Sequence, residues 1–120
     1  MIEVMTESSG NILGFKASGT LTDRDYKDLL IPKLEAALST NKKVRILFDM
    51  GEDFHGWELA AAWDDATFGM KHRNDFEKCA IVGGPKWVEW ATKLGALILS
   101  GEVKSFAANE LDSAWNWVKT

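Results

Sequence analysis

The sequence predicts a single α/β domain over residues 1–120, with a mixed sheet of about five strands, four helices and the element order ββαβαβαβα. Short apolar runs alternate with stretches of helical periodicity along the whole chain. Ile46, Leu47 and Phe48 are apolar at successive positions, which is typical of a parallel strand covered on both faces. The chain has 120 residues and no linker, repeat or low-complexity segment, so we expect one domain with a substantial core.

Composition excludes several classes of function. Fourteen Lys and Arg residues against 18 Asp and Glu residues give a net charge of −4, which disfavours general attraction to nucleic acid. The single cysteine, Cys79, has no internal disulfide partner and suits a reducing compartment. The first ten residues lack the pattern of a signal peptide, and no apolar run is long enough to cross a membrane. We therefore expect a cytoplasmic protein that is soluble or peripheral at the inner membrane face.

The N-terminal third is predicted to form a hairpin and a helix. Ile2–Thr6 and Asn11–Ser18 flank a Ser-Ser-Gly turn and read as paired strands. Thr22 is placed to cap the next helix. Pro32 lacks an amide hydrogen and lies inside the helical pattern, so we expect a kink there. The core-facing stripe of this helix is predicted to be Tyr26, Leu29, Leu30, Leu34, Ala37 and Leu38.

Four further elements follow the third strand and the second helix. Lys78–Val82 and Val103–Ala107 read as strands, and Gly83–Pro85 reads as a tight turn that opens the third helix. Asn109 is placed to cap the last helix. The core-facing positions are predicted to be Trp87, Ala91, Leu94 and Ile98 in the third helix, and Leu111, Ala114, Trp115 and Val118 in the fourth.

Several of these features resemble one known family. The helix with its internal proline, the strand ILFDM leading through GEDFHG into the second helix, and the CAIVGGPKW turn are similar to those of the SpoIIAA-like proteins. These proteins are a branch of the STAS domains, the fold of bacterial anti-sigma-factor antagonists, and have also been compared with CRAL-TRIO lipid-binding domains. The resemblance covers nearly the whole chain, but its motifs are structural turns, so it implies the fold and a non-catalytic binding or regulatory role.

One departure from the STAS pattern concerns the loop predicted before the second helix. In STAS antagonists this loop usually carries a phosphorylatable Ser or Thr. Gly51–Gly56 contains no hydroxyl side chain, and its two acids either cap the helix or mimic a permanently phosphorylated state. We interpret this segment as a hinge. The predicted hinge and partner-docking residues are Asp49, Glu52, Asp53, Phe54 and His55.

The second helix, predicted to begin at Trp57, carries the principal candidate site. Ala61 and Phe68 lie with Trp57 on the side opposite to the predicted core stripe, where the core does not need them. Trp90 and Leu97 flank the core stripe of the third helix beside two lysines, which is typical of an amphipathic surface. These five residues are the predicted ligand- or membrane-binding set. The core stripe of the second helix is predicted to be Leu59, Ala62, Trp63, Ala66 and Met70.

Two functional hypotheses from different classes follow. In the first, the extra aromatic residues border a site between the second and third helices that binds a small apolar or amphipathic ligand or a membrane surface. Alternatively, the same loop and helix dock a protein partner, as in an anti-sigma-factor antagonist. A third interpretation assigns no function to Trp57 and Phe68, which then pack under a loop or in a homodimer interface.

Catalytic and metal-binding patterns are weak. His55 lies among acids at a strand end, where acid–base chemistry is found, but a solvated surface histidine is the simpler interpretation. The two histidines lack i, i+4 spacing and a cysteine cluster, which disfavours zinc. Pro85 withdraws an amide from the Gly-Gly turn, and no phosphate-loop or dinucleotide signature is present. We expect a protein that is not an enzyme, with no metal and no cofactor.

Overall fold

A computed structural model describes residues 1–85, 92–93 and 99–120 of the chain. Within these residues one five-stranded sheet has the order β1-β2-β3-β4-β5. β1 is antiparallel to β2, whereas the three following pairings are parallel. The predicted mixed sheet is therefore confirmed. Its strands are β1 (Ile2–Val4), β2 (Ile12–Leu21), β3 (Val44–Trp57), β4 (Phe76–Gly83) and β5 (Glu102–Phe106).

Three of the four predicted helices lie in the described part of the chain. The first consists of a short helix, α1 (Asp23–Asp25), a π-helical turn (Tyr26–Leu30) and α2 (Ile31–Thr40). The others are α3 (Leu59–Lys71) and α4 (Leu111–Lys119). The predicted third helix falls mostly on residues 86–91 and 94–98, outside the described residues, although Thr92 and Lys93 are helical.

The first helical segment begins as predicted and contains an irregularity where the proline requires one. The amide of Asp25 donates to Thr22 Oγ1 at 3.1 Å, and the amide of Thr22 donates to Asp25 Oδ2 at 2.9 Å. This reciprocal pair is a capping box. Pro32 cannot donate a helical hydrogen bond, and the amide of Ile31 instead reaches back to the Tyr26 carbonyl in a wider π turn.

Apolar side chains cover both faces of the sheet. On the first face, Leu30 and Leu34 pack with Phe15 and Ile46. Leu47, which is adjacent to Ile46 in β3, belongs to the cluster on the opposite face. This alternation explains the continuous apolar run in β3, because parallel strands buried on both sides need apolar residues at successive positions. The opposite cluster also contains Ala80, Val82, Ala114, Trp115 and Val118, which confirms the predicted inward positions of the last helix.

The entry to α4 differs from the prediction that Asn109 caps it. A 3-10 turn (Ala108–Glu110) precedes the helix, which begins at Leu111 without a side-chain cap. Glu110 Oε1 accepts a 2.7 Å hydrogen bond from the Ala107 amide. The tight turn therefore takes the place of an asparagine cap.

The predicted loop at Gly51–Gly56 is wrong, because this segment belongs to β3. β2 continues beside it, pairing Gly19 with Phe54 and Leu21 with Trp57. The φ of Gly56 is 128°, a backbone conformation that favours glycine. The predicted hinge rested on a free loop, whereas the structure holds this backbone against a neighbouring strand. The polar composition that suggested a loop reflects the exposed residues Glu52, Asp53 and His55, which surround the buried Phe54.

α3 turns a different face towards the sheet from the one predicted. Leu59 and Met70 were expected in its core stripe, but they are 89% and 56% exposed. Phe68, expected on the opposite side, packs against the core. Trp57 precedes the helix as the last residue of β3 and also packs against the core. The prediction failed because both faces of α3 carry apolar residues, so periodicity alone does not fix the rotation of the helix.

Candidate ligand-binding site

A cavity of about 190 Å³ lies between the first face of the sheet and α3. Phe48 and Met50 of β3 and Ile81 of β4 contribute to an apolar lining. On α3 the cavity borders Gly69, and a Cβ built on this glycine has no heavy atom within 4 Å. The missing side chain of Gly69 is therefore one local reason for the open space between helix and sheet.

The lining also contains polar side chains, and three of them are joined by hydrogen bonds. Trp57 Nε1 donates a 2.8 Å hydrogen bond to the hydroxyl of Tyr26, and this hydroxyl donates a 2.8 Å hydrogen bond to Asp65 Oδ1. All three residues line the cavity. The chain of hydrogen bonds connects the end of β3, the π turn and α3, and it fixes the position of one carboxylate against an apolar space. This combination of apolar walls and a few oriented polar groups is typical of small-molecule sites.

The surroundings of this carboxylate disfavour its charge. Burial raises the pKa of Asp65, and the hydrogen bond from Tyr26 opposes this shift in part. The Asp65 side chain is solvent-accessible and lines the cavity. Asp65 is therefore partly exposed to solvent, while the neighbouring protein atoms disfavour its ionised form. Burial also raises the pKa of Tyr26, and the negative charge of Asp65 adds to that shift.

Cys79 lines the same cavity but is not an activated nucleophile. Burial raises the pKa of its thiol to about 12, with a further contribution from the charge of Asp65. A reactive cysteine needs the opposite shift, because the thiolate is the nucleophile. Cys79 is therefore an inert core residue.

The structure brings two of the five predicted ligand-binding residues to the cavity. Trp57 and Phe68 both line it and are half-buried. Phe68 also contacts His72, with tilted rings whose centroids are 4.4 Å apart. Trp90, Leu97 and the side chain of Ala61 lie outside the described residues.

The second predicted set runs along β3 and does not converge on the cavity. Burial raises the pKa of Asp49, and the nearby Lys16 opposes the shift. Glu52, Asp53 and His55 are exposed. Phe54 is buried and meets Trp57 edge to face, with ring centroids 5.2 Å apart. Within the described ranges, no group of three or more His, Cys, Asp and Glu side chains is arranged to hold a metal ion.

Sequence reasoning missed Tyr26 and Asp65 as members of a site. Tyr26 was predicted only as a core residue, and Asp65 was not singled out. A signal for the pair was available, because a tyrosine in a core-facing stripe needs a hydrogen-bond partner for its hydroxyl. The sequence does not say which acceptor fills this role.

One antiparallel strand followed by parallel strands, with helices on both faces, defines a mixed α/β domain of SpoIIAA-like fold. The family model described as SpoIIAA-like matches residues 12–119. The chain belongs to the SpoIIAA-like family. This fold is consistent with a binding or regulatory module.

One solved structure is similar over nearly its whole length. It is the crystal structure of an uncharacterized protein with a SpoIIAA-like fold from Shewanella loihica PV-4. The two chains are 36% identical, and the TM-score is 0.79. The match covers 98% of this chain and 93% of the other. No protein with a curated function matches this chain.

No helix in residues 1–85, 92–93 and 99–120 is both long enough and apolar enough to cross a membrane.

Proposed function

We propose that this protein is a non-catalytic binding module whose cavity takes up a small apolar or amphipathic molecule. The observation that carries the proposal is the hydrogen-bonded series Trp57, Tyr26 and Asp65 set into an apolar cavity. The apolar walls favour transfer of a hydrophobic body out of water. The fixed polar groups give the ligand one orientation.

The volume of the cavity favours a compact ligand. An apolar cavity of about 150 Å³ is sufficient to hold one benzene molecule. A cavity of about 190 Å³ therefore suits a single ring with a small substituent better than a long acyl chain. Trp57 and Phe68 line this space, so the geometry favours an internal ligand over insertion of their rings into a lipid surface.

Blocking the cavity tests the proposal. Toluene and benzyl alcohol are titrated into the purified protein, and binding is followed by the chemical shifts of backbone amides. We expect saturable shifts at Phe48, Ile81 and Gly69. Gly69→Phe should abolish them, because its ring enters the space that the glycine leaves open. Gly69→Ala is the matched control, since a single methyl group leaves most of the cavity free. Absence of saturable binding in the wild-type protein contradicts the proposal.

The exposed face of α3 favours a second candidate function, a protein–protein switch. Leu59 and Met70 are large, apolar and mostly exposed. At about 100° per residue the two side chains project from the same side of the helix, so they form part of one apolar stripe. A partner with an apolar groove would cover this stripe.

Charge substitution tests the second candidate. Wild-type protein and the double variant Leu59→Lys with Met70→Lys are compared as baits, and the bound proteins are identified by mass spectrometry. A specific partner should be retained by the wild-type chain and lost by the double variant, with the fold unchanged by circular dichroism. Sedimentation of the wild-type chain alone identifies a second copy as the partner. Equal retention by both baits contradicts a docking role for this stripe.

A further inference from the structure

We infer that the ligand of this cavity is a small organic cation, an aryl or alkyl amine whose ammonium group pairs with Asp65. The inference rests on the proposed function and adds the chemical class of the ligand. It depends on three observations: the state of the Asp65 carboxylate, the charges that line the cavity and the aromatic rings near it.

The carboxylate has acceptor capacity that the described residues do not use. Tyr26 is the only described residue that donates a hydrogen bond to Asp65, and it does so to Oδ1. A carboxylate has about four lone-pair sites, so a second donor can be accommodated. No Lys, Arg or His in residues 1–85, 92–93 and 99–120 forms an ion pair with it. An incoming cation would supply the charge partner that these residues lack.

The cavity selects the sign of the ligand's charge. Asp65 is the only charged side chain among the described residues that line it. Among the described residues, an anionic ligand would therefore meet like charge without a compensating cation, whereas an ammonium group would meet opposite charge.

The aromatic rings favour a cation for a second reason. Tyr26, Trp57 and Phe68 line the cavity together with Asp65. The face of an aromatic ring attracts a cation, and the attraction is stronger where water is excluded. The apolar body of such an amine would contact Phe48, Met50 and Ile81 at the sheet. A ring with one aminomethyl group satisfies both the size and the charge of the site.

Three matched ligands test the inference. Benzylamine, benzyl alcohol and benzoate share one ring and differ in the charge of the polar substituent at neutral pH. Dissociation constants are measured by amide chemical-shift titration at pH 7. We expect benzylamine to bind about tenfold more tightly than benzyl alcohol, because a charge-assisted hydrogen bond exceeds a neutral one by roughly 1.4 kcal/mol. Benzoate should show no saturable binding.

Two isosteric variants show whether the preference for benzylamine depends on the charge of Asp65. Asp65→Asn should reduce the affinity for benzylamine to that for benzyl alcohol and leave benzyl alcohol unchanged. Asp64→Asn removes the same charge from the neighbouring position, which borders Asp23 and Lys27 rather than the cavity. It should keep the preference for benzylamine. Loss of the preference for benzylamine in Asp64→Asn would mean that the overall charge of the protein determines the relative affinities of the ligands. That result overturns the inference.

The outcomes separate the inference from the proposed function. If toluene, benzyl alcohol and benzylamine all fail to bind, the proposed function itself is wrong. If the neutral ligands bind and benzylamine shows no preference, the site binds a small molecule but the inferred cation is wrong. The relative affinities of the ligands for the wild-type protein are sufficient for this decision, so the test does not depend on the folding of either variant.

Discussion

The hydroxyl of Tyr26 donates a 2.8 Å hydrogen bond to Asp65 Oδ1, joining residues that are 39 positions apart in the chain. Tyr26 lies at the start of the π turn, and Asp65 lies on α3. The bond therefore connects α3 to the first helical segment at the edge of the cavity. Because Trp57 Nε1 also donates to the same hydroxyl, one oxygen atom holds two elements in place.

Tyr26→Phe should destabilise the protein. The substitution keeps the ring but removes the acceptor of Trp57 Nε1 and the donor to Asp65. Tyr26 is 1% exposed, so its hydroxyl lies in a site of low hydration. We expect the free energy of unfolding to fall by about 1–3 kcal/mol, measured by urea denaturation. A Tyr26→Phe protein as stable as the wild type would show that the hydroxyl is energetically neutral.

Asp65→Asn should stabilise the protein at pH 8 and have little effect near pH 3. Burial raises the folded-state pKa of Asp65 above its ordinary value of 3.8, so the folded state binds the proton more tightly than the unfolded state. The free-energy cost of the charged carboxylate is absent below pH 3.8. It grows as the pH rises through the raised pKa of Asp65 in the folded state. The amide of asparagine carries no charge, and its oxygen can still accept from Tyr26.

Urea denaturation at several pH values measures this difference. Tyr26, Asp64 and Cys79 interact electrostatically with one another or with Asp65. These three residues are therefore left unchanged in both proteins. Asp53→Asn is the matched control, because Asp53 lies on β3 and does not line the cavity. It removes one negative charge outside the cavity, so the effect of Asp65→Asn is measured against it. Lower stability of Asp65→Asn at pH 8 would indicate that the charge of the carboxylate is compensated in the folded state.

Two alanine variants test the rotation of α3. Phe68→Ala removes a ring that packs against the core, and we expect a loss of about 2 kcal/mol or more. Leu59→Ala removes a side chain that is 89% exposed and should change stability by less than about 0.5 kcal/mol. Thermal and urea unfolding of both variants give the comparison. The reverse order would support the core stripe that periodicity alone predicts.

Gly14→Ala should destabilise the opposite side of the sheet. A Cβ at position 14 would lie 2.5 Å from Cη2 and 2.7 Å from Cζ2 of the buried Trp115 ring. The ring must move, and overpacking of this kind costs about 1–3 kcal/mol. Gly69→Ala is the control with open space around the new methyl group, and higher helix propensity should stabilise it by about 0.5–1 kcal/mol. Equal effects of the two substitutions would show that Trp115 does not constrain Gly14.

Much of the fold was predictable because local chemistry determines it. Thr22 and Asp25 form a capping box within four residues of sequence. β3 is buried on both faces, and its run of apolar residues predicts such a strand. The rotation of α3 depends instead on which residues meet across the fold. Leu59 and Phe68 are both apolar, and tertiary contacts such as the bond between Tyr26 and Asp65 distinguish their sides.

The candidate site was predictable only in part. Trp57 and Phe68 were singled out from the sequence, but the reason given was that the core did not need them, whereas they pack against it. The second half of β3 was mistaken for a loop because Gly51, Glu52 and Asp53 are poor strand formers. Pairing with β2 overrides that preference. Such a long-range pairing leaves no local pattern in the sequence.

The π turn gives the first helical segment a property that a regular helix lacks. Its one extra residue changes the phase of the helix by about 100°, so the residues before and after it are aligned independently. Leu34 can pack against the sheet while the Tyr26 hydroxyl donates to Asp65. A deletion of one residue within Tyr26–Leu30 would restore the regular helix and rotate the hydroxyl away from the carboxylate. Insertions and deletions at this turn would therefore move the Tyr26 hydroxyl relative to α3 while the packing of Leu34 on the sheet is kept.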